Sequence, residues 1–159
     1  MKTIRRREFL ETLAAAAGAG ACACGTGGCA TFTKTGATPP IAADAFTLEG
    51  RTATIRLGKV PELAAVGGSV KVIDPRLPQP IIIGRAGPKD YVAVSLLCTH
   101  RGVEVEYRHN DGQFRCASLG HSRYGTDGAR VRGPARRSLQ RFDTKLNPDE
   151  QGGALVVVF

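Results

Sequence analysis

Two Cys–His pairs in the second half of this 159-residue chain combine side chains that bind metals. Cys98 and His100 form the first pair, Cys116 and His121 form the second, and 15 residues separate the two pairs. Thiolates select soft or borderline metals, whereas imidazole suits iron and zinc alike. Two loops that each present one thiol and one imidazole can enclose a metal centre. We therefore predict that these four residues are metal ligands.

The other cysteines and the third histidine are poorer candidates for this role. Cys22, Cys24 and Cys29 lie in an amino-terminal leader, and His109 lies in the sequence YRHNDG, which is typical of an exposed hairpin tip. The sequence holds no glycine-rich phosphate loop, no Ser-His-Asp order and no specific pair of carboxylates. We therefore predict no catalytic residue, and the expected chemistry depends on the bound metal.

The segments that must position the two pairs have the pattern of an all-β domain. Short β-branched or alternating runs occupy residues 52–57, 70–73, 80–84, 91–97, 103–107 and 154–159. Turn signals precede further strands at Phe114 and Val131. Only residues 61–66 have the pattern of a helical turn. Strands about ten residues apart favour a β-sandwich or a small barrel.

Composition narrows the classes of function. The chain is 42% apolar and 23% charged, with 20 glycines and 9 prolines, which is typical of a soluble, turn-rich domain. Its net charge of +8 suits nucleic acid, a membrane surface or an acidic partner. Aromatic residues make up only 6% and no nucleic-acid motif is present, so we predict no nucleic-acid binding. We interpret one basic stretch as a solvated face or, alternatively, a docking surface for an acidic redox partner: Arg130, Arg132, Arg136, Arg137 and Arg141.

The first 30 residues have the pattern of an export signal. The sequence RRREFL at residues 5–10 precedes a run of alanine and glycine. It resembles a twin-arginine signal, in which Arg6 and Arg7 are the paired arginines. The run is too weakly apolar for a membrane-spanning helix, which needs about 20 strongly apolar residues. An amphipathic helix of the folded domain is the alternative.

Two further features concern the boundaries of the mature chain. Small residues precede each leader cysteine, so lipidation after cleavage is an alternative to simple removal of the leader. Residues 31–44 are rich in threonine, proline and alanine, which is the composition of a linker. We predict a twin-arginine signal peptide at 1–30, a linker at 31–44 and a β-domain at 45–159.

The two Cys–His pairs and the residues after them resemble the Rieske [2Fe–2S] domain, which has a C-x-H box followed by a C-x2-H box. The sequence CTHRG at 98–102 matches the first box. The sequence SRYGTDGARVRGPA at 122–135 resembles the end of the second box and the proline loop behind it. The resemblance extends over residues 46–159. It implies an antiparallel β-sandwich with a small cluster-binding subdomain, at about 97–137, formed by two loops. It also implies one cluster of Rieske type on the four ligands Cys98, His100, Cys116 and His121.

The second box departs from the family pattern. It reads C-x4-H (CASLGH), and alignment from the Ser-Arg-Tyr end places the family's cysteine on Ala117 and its histidine on Gly120. Cys116 and His121 then each lie one position away, so we expect a wider loop. Gly120 would provide the backbone excursion. The alternative is a domain that has kept the fold and lost the cluster.

The resemblance also bears on the reduction potential. The disulfide of high-potential members would start at Val103, so we expect no disulfide in the mature domain. Ser122 and Tyr124 resemble the residues that bind the cluster sulfurs in those members, although both lie one residue closer to the histidine than usual. Two imidazole ligands raise the potential to about −150 to +300 mV, against about −400 mV for plant-type clusters. We expect a value in the middle of this range.

The function implied by the resemblance is electron transfer. We expect an exported electron carrier or oxidoreductase subunit, without a substrate site of its own, in the bacterial periplasm or cell envelope. Its partners would be a protein electron donor and acceptor or a larger redox complex, with membrane contact only if the chain is lipidated or keeps its signal. The alternative is a zinc-stabilised or cluster-less β-domain with a structural or interaction role.

Overall fold

Two antiparallel sheets make up the part of the chain that the computed structural model describes, residues 35–148 and 152–159. The predicted export signal, the leader cysteines and residues 31–34 lie outside these residues. Eleven strands occur in the described part: β1 Phe46–Glu49, β2 Thr52–Arg56, β3 Ser69–Val72, β4 Ile81–Arg85, β5 Tyr91–Ser95, β6 Val105–Arg108, β7 Gln113–Cys116, β8 Arg123–Gly125, β9 Arg130–Arg132, β10 Arg141–Asn147 and β11 Ala154–Val158.

The helical content of the described residues consists of four short 3-10 turns, at Ala43–Ala45, Leu57–Lys59, Pro61–Leu63 and His109–Asp111. In this part of the chain, no helix is long and apolar enough to cross a membrane. The expected all-β class is therefore confirmed. The helical turn expected at 61–66 is the single 3-10 turn that begins at Pro61.

The larger sheet has seven strands in the order β1-β2-β11-β10-β5-β4-β3. The final strand, β11, lies between β2 and β10, so the last strand of the chain joins its first hairpin to the rest of the sheet. Ala53 and Ile55 of β2 are buried, and Thr52 and Thr54, which alternate with them, are half-buried. This alternation is expected of a strand with one face on a core.

The smaller sheet is a meander of β6, β7, β8 and β9 that packs against the larger one near β4 and β5. Ile81 and Ile83 of β4 belong to the core of the larger sheet, whereas Ile82 belongs to a second core shared with Phe114 and Tyr124. Both faces of β4 are therefore covered, which explains why its first three residues are all isoleucine.

Three strands were not predicted from the sequence. The predicted strands are present within about two residues of the expected bounds, but β1, β8 and β10 were missed. In β10, buried Phe142 and half-buried Thr144 and Leu146 alternate with Arg141, Asp143 and Lys145, which are exposed. Charged residues at every second position hide the apolar signal when the sequence is examined without knowledge of strand pairing.

The described end of the predicted linker contacts both sheets. Pro40 forms a parallel bridge with Lys71 of β3, and the Gly36 amide donates to the Glu104 carboxylate at 2.7 Å. Lys71 and Glu104 form an ion pair at 2.9 Å with about a tenth of each side chain exposed. Ala37 donates to Glu106 of β6 at 2.8 Å. Residues 36–41 therefore connect β3 to the loop that leads into the smaller sheet.

Candidate metal centre

Three loops bring the predicted site residues together at one end of the smaller sheet. The first box follows β5, the second box joins β7 to β8, and the proline loop joins β9 to β10. The Thr99 hydroxyl donates to the Arg137 carbonyl at 2.7 Å, which ties the first box to the proline loop. The Ala135 amide donates to the Ser122 hydroxyl at 3.1 Å, which ties the proline loop to the second box.

The two cysteines of the boxes are buried and lie in the same core cluster. Cys98 is 2% exposed and Cys116 is 1% exposed, and both thiols are free. Each thiol affects the pKa of the other, as neighbouring groups do. Their backbone amides are fixed as well: Cys98 donates to the Val103 carbonyl and Cys116 to the Ser122 carbonyl, each at 2.8 Å. The fold therefore places two neighbouring thiols in a buried site.

Tyr124 is fully buried behind the first thiol. Its hydroxyl lies 3.1 Å from Cys98 Sγ and 3.2 Å from Thr99 Oγ1. Burial and the adjacent Cys98 raise the pKa of Tyr124 to about 12, so this hydroxyl stays protonated at neutral pH. The unusual spacing between Tyr124 and the histidine does not prevent its contact with the sulfur.

The electrostatic surroundings of the two thiols differ. Burial acts to raise the pKa of Cys98, but hydrogen bonds from Tyr124, the backbone at His100, Cys116 and Ser122 together lower it. Burial raises the pKa of Cys116 above its usual value, against the hydrogen bonds made by Ser118. Hydrogen bonds to the charged form of a thiol favour the thiolate, which is the form that binds metals. Of the two thiols, Cys98 is therefore the one that forms the metal-binding thiolate more easily.

Ser122 connects the second box to the proline loop. It is fully buried, and Gly133 packs against it with a φ of +100°. A Cβ at Gly133 would lie 2.6 Å from Ser122 Cα, so no other residue fits at this close approach. Ser122 is also one of the groups that lower the pKa of Cys98 against the effect of burial. The proline loop thus holds Ser122 beside the sulfurs.

The two histidines lie outside this buried pair. His100 is exposed and His121 is half-buried. His121 has a φ of +42°, the left-handed region that non-glycine residues rarely adopt, and its Nδ1 lies 3.3 Å from the Cys116 carbonyl. We expected Gly120 to absorb the wider loop, but its φ is not positive; a Cβ there would meet Pro134 at 2.8 Å. The unusual backbone conformation in this loop is therefore adopted by His121.

The four predicted ligands lie on two neighbouring loops, and of these four only the two thiols are both buried. Within the described residues, no three His, Cys, Asp or Glu side chains converge in a metal-binding group. The donor chemistry nevertheless fits a sulfur-bound iron centre, because each of the two buried thiols lies 3.1 Å from a hydroxyl group, that of Tyr124 or Ser118. A ring nitrogen turned to a carbonyl, as in His121, is a common arrangement for a histidine whose other nitrogen binds metal.

Sequence analysis missed two hydroxyl residues of the site. Thr99 contacts the Tyr124 hydroxyl, and Ser118 Oγ lies 3.1 Å from Cys116 Sγ. Their positions inside the boxes were the available signal, since each lies within two residues of a predicted ligand. His109 contacts the Tyr107 hydroxyl at 3.2 Å and does not join the thiols.

The basic residues beside the first box form the mouth of a surface cleft. The cleft has a volume of about 550 Å³ and is lined by Thr99, His100, Pro134, Arg136 and Arg137. His100 is therefore accessible from a basic surface, whereas the thiols are not. Within the same basic stretch of the sequence, Arg130 and Arg132 lie on β9, and Arg141 lies on β10 of the other sheet.

Replacing Tyr124 with phenylalanine is expected to lower the reduction potential of the expected [2Fe–2S] cluster by tens of millivolts. The substitution deletes the hydroxyl 3.1 Å from Cys98 Sγ and keeps the buried ring. A hydrogen bond to sulfur favours the more negative, reduced form, and about 59 mV corresponds to 1.4 kcal/mol for one electron. Protein-film voltammetry measures the change. Tyr107→Phe, whose hydroxyl contacts His109 instead, is the matched control, and an equal shift in both variants contradicts the interpretation.

Comparison with known proteins agrees with this geometry. A family model described as the Rieske [2Fe–2S] domain matches residues 53–143, more than half of the chain. The chain is 32% identical over 108 residues to the cytochrome b6-f complex iron–sulfur subunit of Synechococcus sp. (strain JA-2-3B'a(2-13)), covering 64% of this chain and 62% of that protein. A subunit of the same name from Synechococcus sp. (strain JA-3-3Ab) is 32% identical over 72 residues, 45% of this chain and 41% of that protein.

Similarity to one solved structure is evidence for the fold and for nothing beyond it. The ferredoxin of carbazole 1,9a-dioxygenase from Nocardioides aromaticivorans IC177 has a TM-score of 0.51 and 16% sequence identity, over 66% of this chain and 96% of that one. The family match implies a Rieske-type [2Fe–2S] cluster. With its two boxes, proline loop and buried thiol pair, the chain belongs to the Rieske [2Fe–2S] domain family.

Proposed function

We propose that this chain is an exported electron-transfer protein or redox subunit whose Rieske [2Fe–2S] cluster is held by Cys98, His100, Cys116 and His121. The observation that carries the proposal is the pair of buried thiols in one core cluster, with the Tyr124 hydroxyl 3.1 Å from Cys98 Sγ. Two loops contribute one thiol and one histidine each, which is the donor set of this cluster type. Ser122 and Tyr124 are the proposed sulfur-binding hydroxyls.

The proposed ligands are buried on the cysteine side of the site and accessible on the histidine side. This arrangement supports electron transfer by a protein that has no substrate site of its own. When bound, the cluster supplies one-electron chemistry at a potential raised by its two imidazole ligands. The cysteines exclude water because both are almost fully buried. His100 is exposed beside the cleft with Arg136 and Arg137, so a partner protein meets the site on its histidine side.

A larger redox complex is the proposed setting. The curated relatives are subunits of the cytochrome b6-f complex, and the chain spans 62% of the length of the first of them. The family model matches residues 53–143, which include the two boxes, so we infer that the chain exchanges electrons with protein partners.

Export is expected to depend on the arginine pair of the amino-terminal segment. Replacing both Arg6 and Arg7 with lysine should leave the protein in the cytoplasm, because a twin-arginine route is inferred from RRREFL ahead of a weakly apolar run. Cell fractionation with immunoblotting measures the distribution. Lys2→Arg keeps the charge and is the control; undiminished periplasmic accumulation of the Arg6→Lys, Arg7→Lys protein contradicts the proposal.

Purified full-length protein should contain two iron and two sulfide per chain. It should be brown, bleach on reduction and give the EPR spectrum of a Rieske centre, since mixed thiolate and imidazole ligation distinguishes it from an all-cysteine cluster. Metal analysis is made on the same sample. One zinc ion in a colourless protein, grown with adequate iron, supports the structural role of the Cys2His2 set and contradicts electron transfer.

A further inference from the structure

Three arginines lie side by side on the outer face of the smaller sheet. Arg115 of β7 pairs with Arg123 of β8, which in turn pairs with Arg132 of β9. Their strand neighbours Phe114 and Tyr124 are fully buried, so the alternation of side chains places Arg115 and Arg123 on the opposite face. Adjacent strands lie about 4.8 Å apart, so this arginine row extends about 10 Å across the sheet.

A β-bulge in β9 completes the arginine row. Tyr124 pairs with Arg130 and Arg123 pairs with Arg132, which leaves Val131 without a partner and 49% exposed. An uninterrupted ladder would put Val131 opposite Arg123. Because of the extra residue, Arg132 and not Val131 lies opposite Arg123 at the end of the row. Bulges commonly redirect side chains in this way.

No carboxylate neutralises the arginine row in the part of the chain that the structure describes. The ion pairs there involve other residues. Glu106, the cross-strand partner of Arg115 on β6, binds Arg108 at 2.7 Å and the Ala37 amide at 2.8 Å. Like charges directly opposite each other destabilise a sheet. The row therefore lowers stability in the isolated domain and favours binding of an anion.

Two polar atoms on the same face lack hydrogen-bond partners. Among the described residues, Arg123 Nε and Gln113 Oε1 are the buried side-chain nitrogen or oxygen atoms without one. Gln113 is two residues from Arg115 on β7, so both lie on the same face of the sheet. A buried polar atom without a partner destabilises the folded protein, because it loses its hydrogen bond to water without a replacement. An incoming acceptor at the arginine row would relieve that cost once the guanidinium turns towards it.

We propose that the arginine row binds an acidic segment of a partner protein. Guanidinium groups bind carboxylates through two parallel hydrogen bonds, and residues 97–140 contain eight arginines and no lysine. Glutamates four residues apart on a helix are about 5–6 Å apart, which matches the strand spacing. Arg115 and Arg123 are half-buried, so their heads are held close to the sheet and suit a fixed pattern of carboxylates.

This partner is a redox protein only if the proposed function holds. Arg123 and Tyr124 are consecutive on β8, and the Tyr124 hydroxyl contacts Cys98. A partner docked on the arginine row therefore contacts the strand that supports the metal centre, from the face opposite the core. This surface is separate from the cleft at His100.

The test measures binding of a fluorescent, alanine-rich helical peptide with glutamate at every fourth position. The row variant carries Arg115→Gln, Arg123→Gln and Arg132→Gln. The matched control carries Arg51→Gln, Arg56→Gln and Arg141→Gln, three exposed arginines of the larger sheet region. Fluorescence anisotropy at low salt should show at least tenfold weaker binding for the row variant and less than twofold for the control. A peptide with glutamine in place of glutamate should not bind.

Several outcomes overturn the proposal. Equal weakening in both variants would mean that net charge alone attracts the peptide. Binding of anionic phospholipid vesicles through the row, with no binding of the peptide, would assign the surface to a membrane. The row variant should also melt at a higher temperature than wild type at low salt, because the repulsion among the three arginines is removed. A lower melting temperature would mean that the arginines have a neutralising partner within the isolated domain, which contradicts the proposal.

The inference and the proposed function fail separately. Cys98→Ser protein should bind the peptide as wild type does, because the row does not require the cluster. Row-dependent binding by a wild-type protein without iron would refute electron transfer and leave the arginine row supported. A cluster-loaded protein without row-dependent binding would refute the arginine row and leave electron transfer supported.

Discussion

Replacing Cys98 or Cys116 with serine should abolish the visible absorption and the EPR signal of the reduced protein. Both thiols are buried in the same core cluster, so each substitution removes one of two sulfurs from a site with no other cysteine among the described residues. Iron and sulfide content, measured on freshly purified protein, should fall to the background of the assay. This is the largest effect expected for any single substitution in the domain.

The control for the cysteine variants is His109→Ala. His109 is exposed on a 3-10 turn and contacts Tyr107, so its loss should leave the spectra and iron content unchanged. Serine differs from cysteine by one atom, and circular dichroism reports whether the sheets remain folded. A folded Cys116→Ser protein with full iron and sulfide would contradict the assignment of that ligand.

Replacing His121 with alanine should remove the Rieske EPR signature, and adding Leu119→His should restore part of it. His121 lies five residues after Cys116, whereas the family's C-x2-H spacing counted from that cysteine falls on Leu119. Leu119 is 84% exposed at the tip of the same loop, so a histidine there causes no steric clash. Alanine at 121 also removes the ring beside the Cys116 carbonyl.

The matched control for this pair is Leu119→Ala alone, which should keep the full EPR signal. Recovery of at least a third of the integrated signal in the double variant indicates that the loop must supply one imidazole ligand, and that either position 119 or position 121 can supply it. Retention of an unaltered signal in the His121→Ala protein would refute His121 as a ligand. The fourth ligand would then be a different side chain.

Much of the fold follows from local patterns in the sequence. The alternation in β2, the β-branched runs of β3 to β5 and the glycine turns predicted strands within about two residues of their bounds. These features depend on neighbours along the chain, which is why they can be recognised without a structure. The two boxes were recognised for a similar reason, since residue types and spacing are properties of the sequence.

The missed strands depended on pairing. Phe142 and the charged residues of β10 form a strand because β5 and β11 lie on either side of it. The left-handed conformation of His121 likewise results from closing a longer loop between β7 and β8. Spacing alone pointed to Gly120, because glycine adopts this conformation most easily, but the close approach of Pro134 requires glycine there for a different reason.

By itself, the sequence determined the all-β class, the two boxes and the residue types of the site. Tertiary structure decided that the Cys98 and Cys116 thiols lie in one buried cluster, that Tyr124 contacts the first of them at 3.1 Å, and that three arginines line up across strands. Arg115, Arg123 and Arg132 share a row only because of strand register and one bulge. Contacts between distant residues depend on how strands pair, and a single-residue shift in register would move every side chain to the other face.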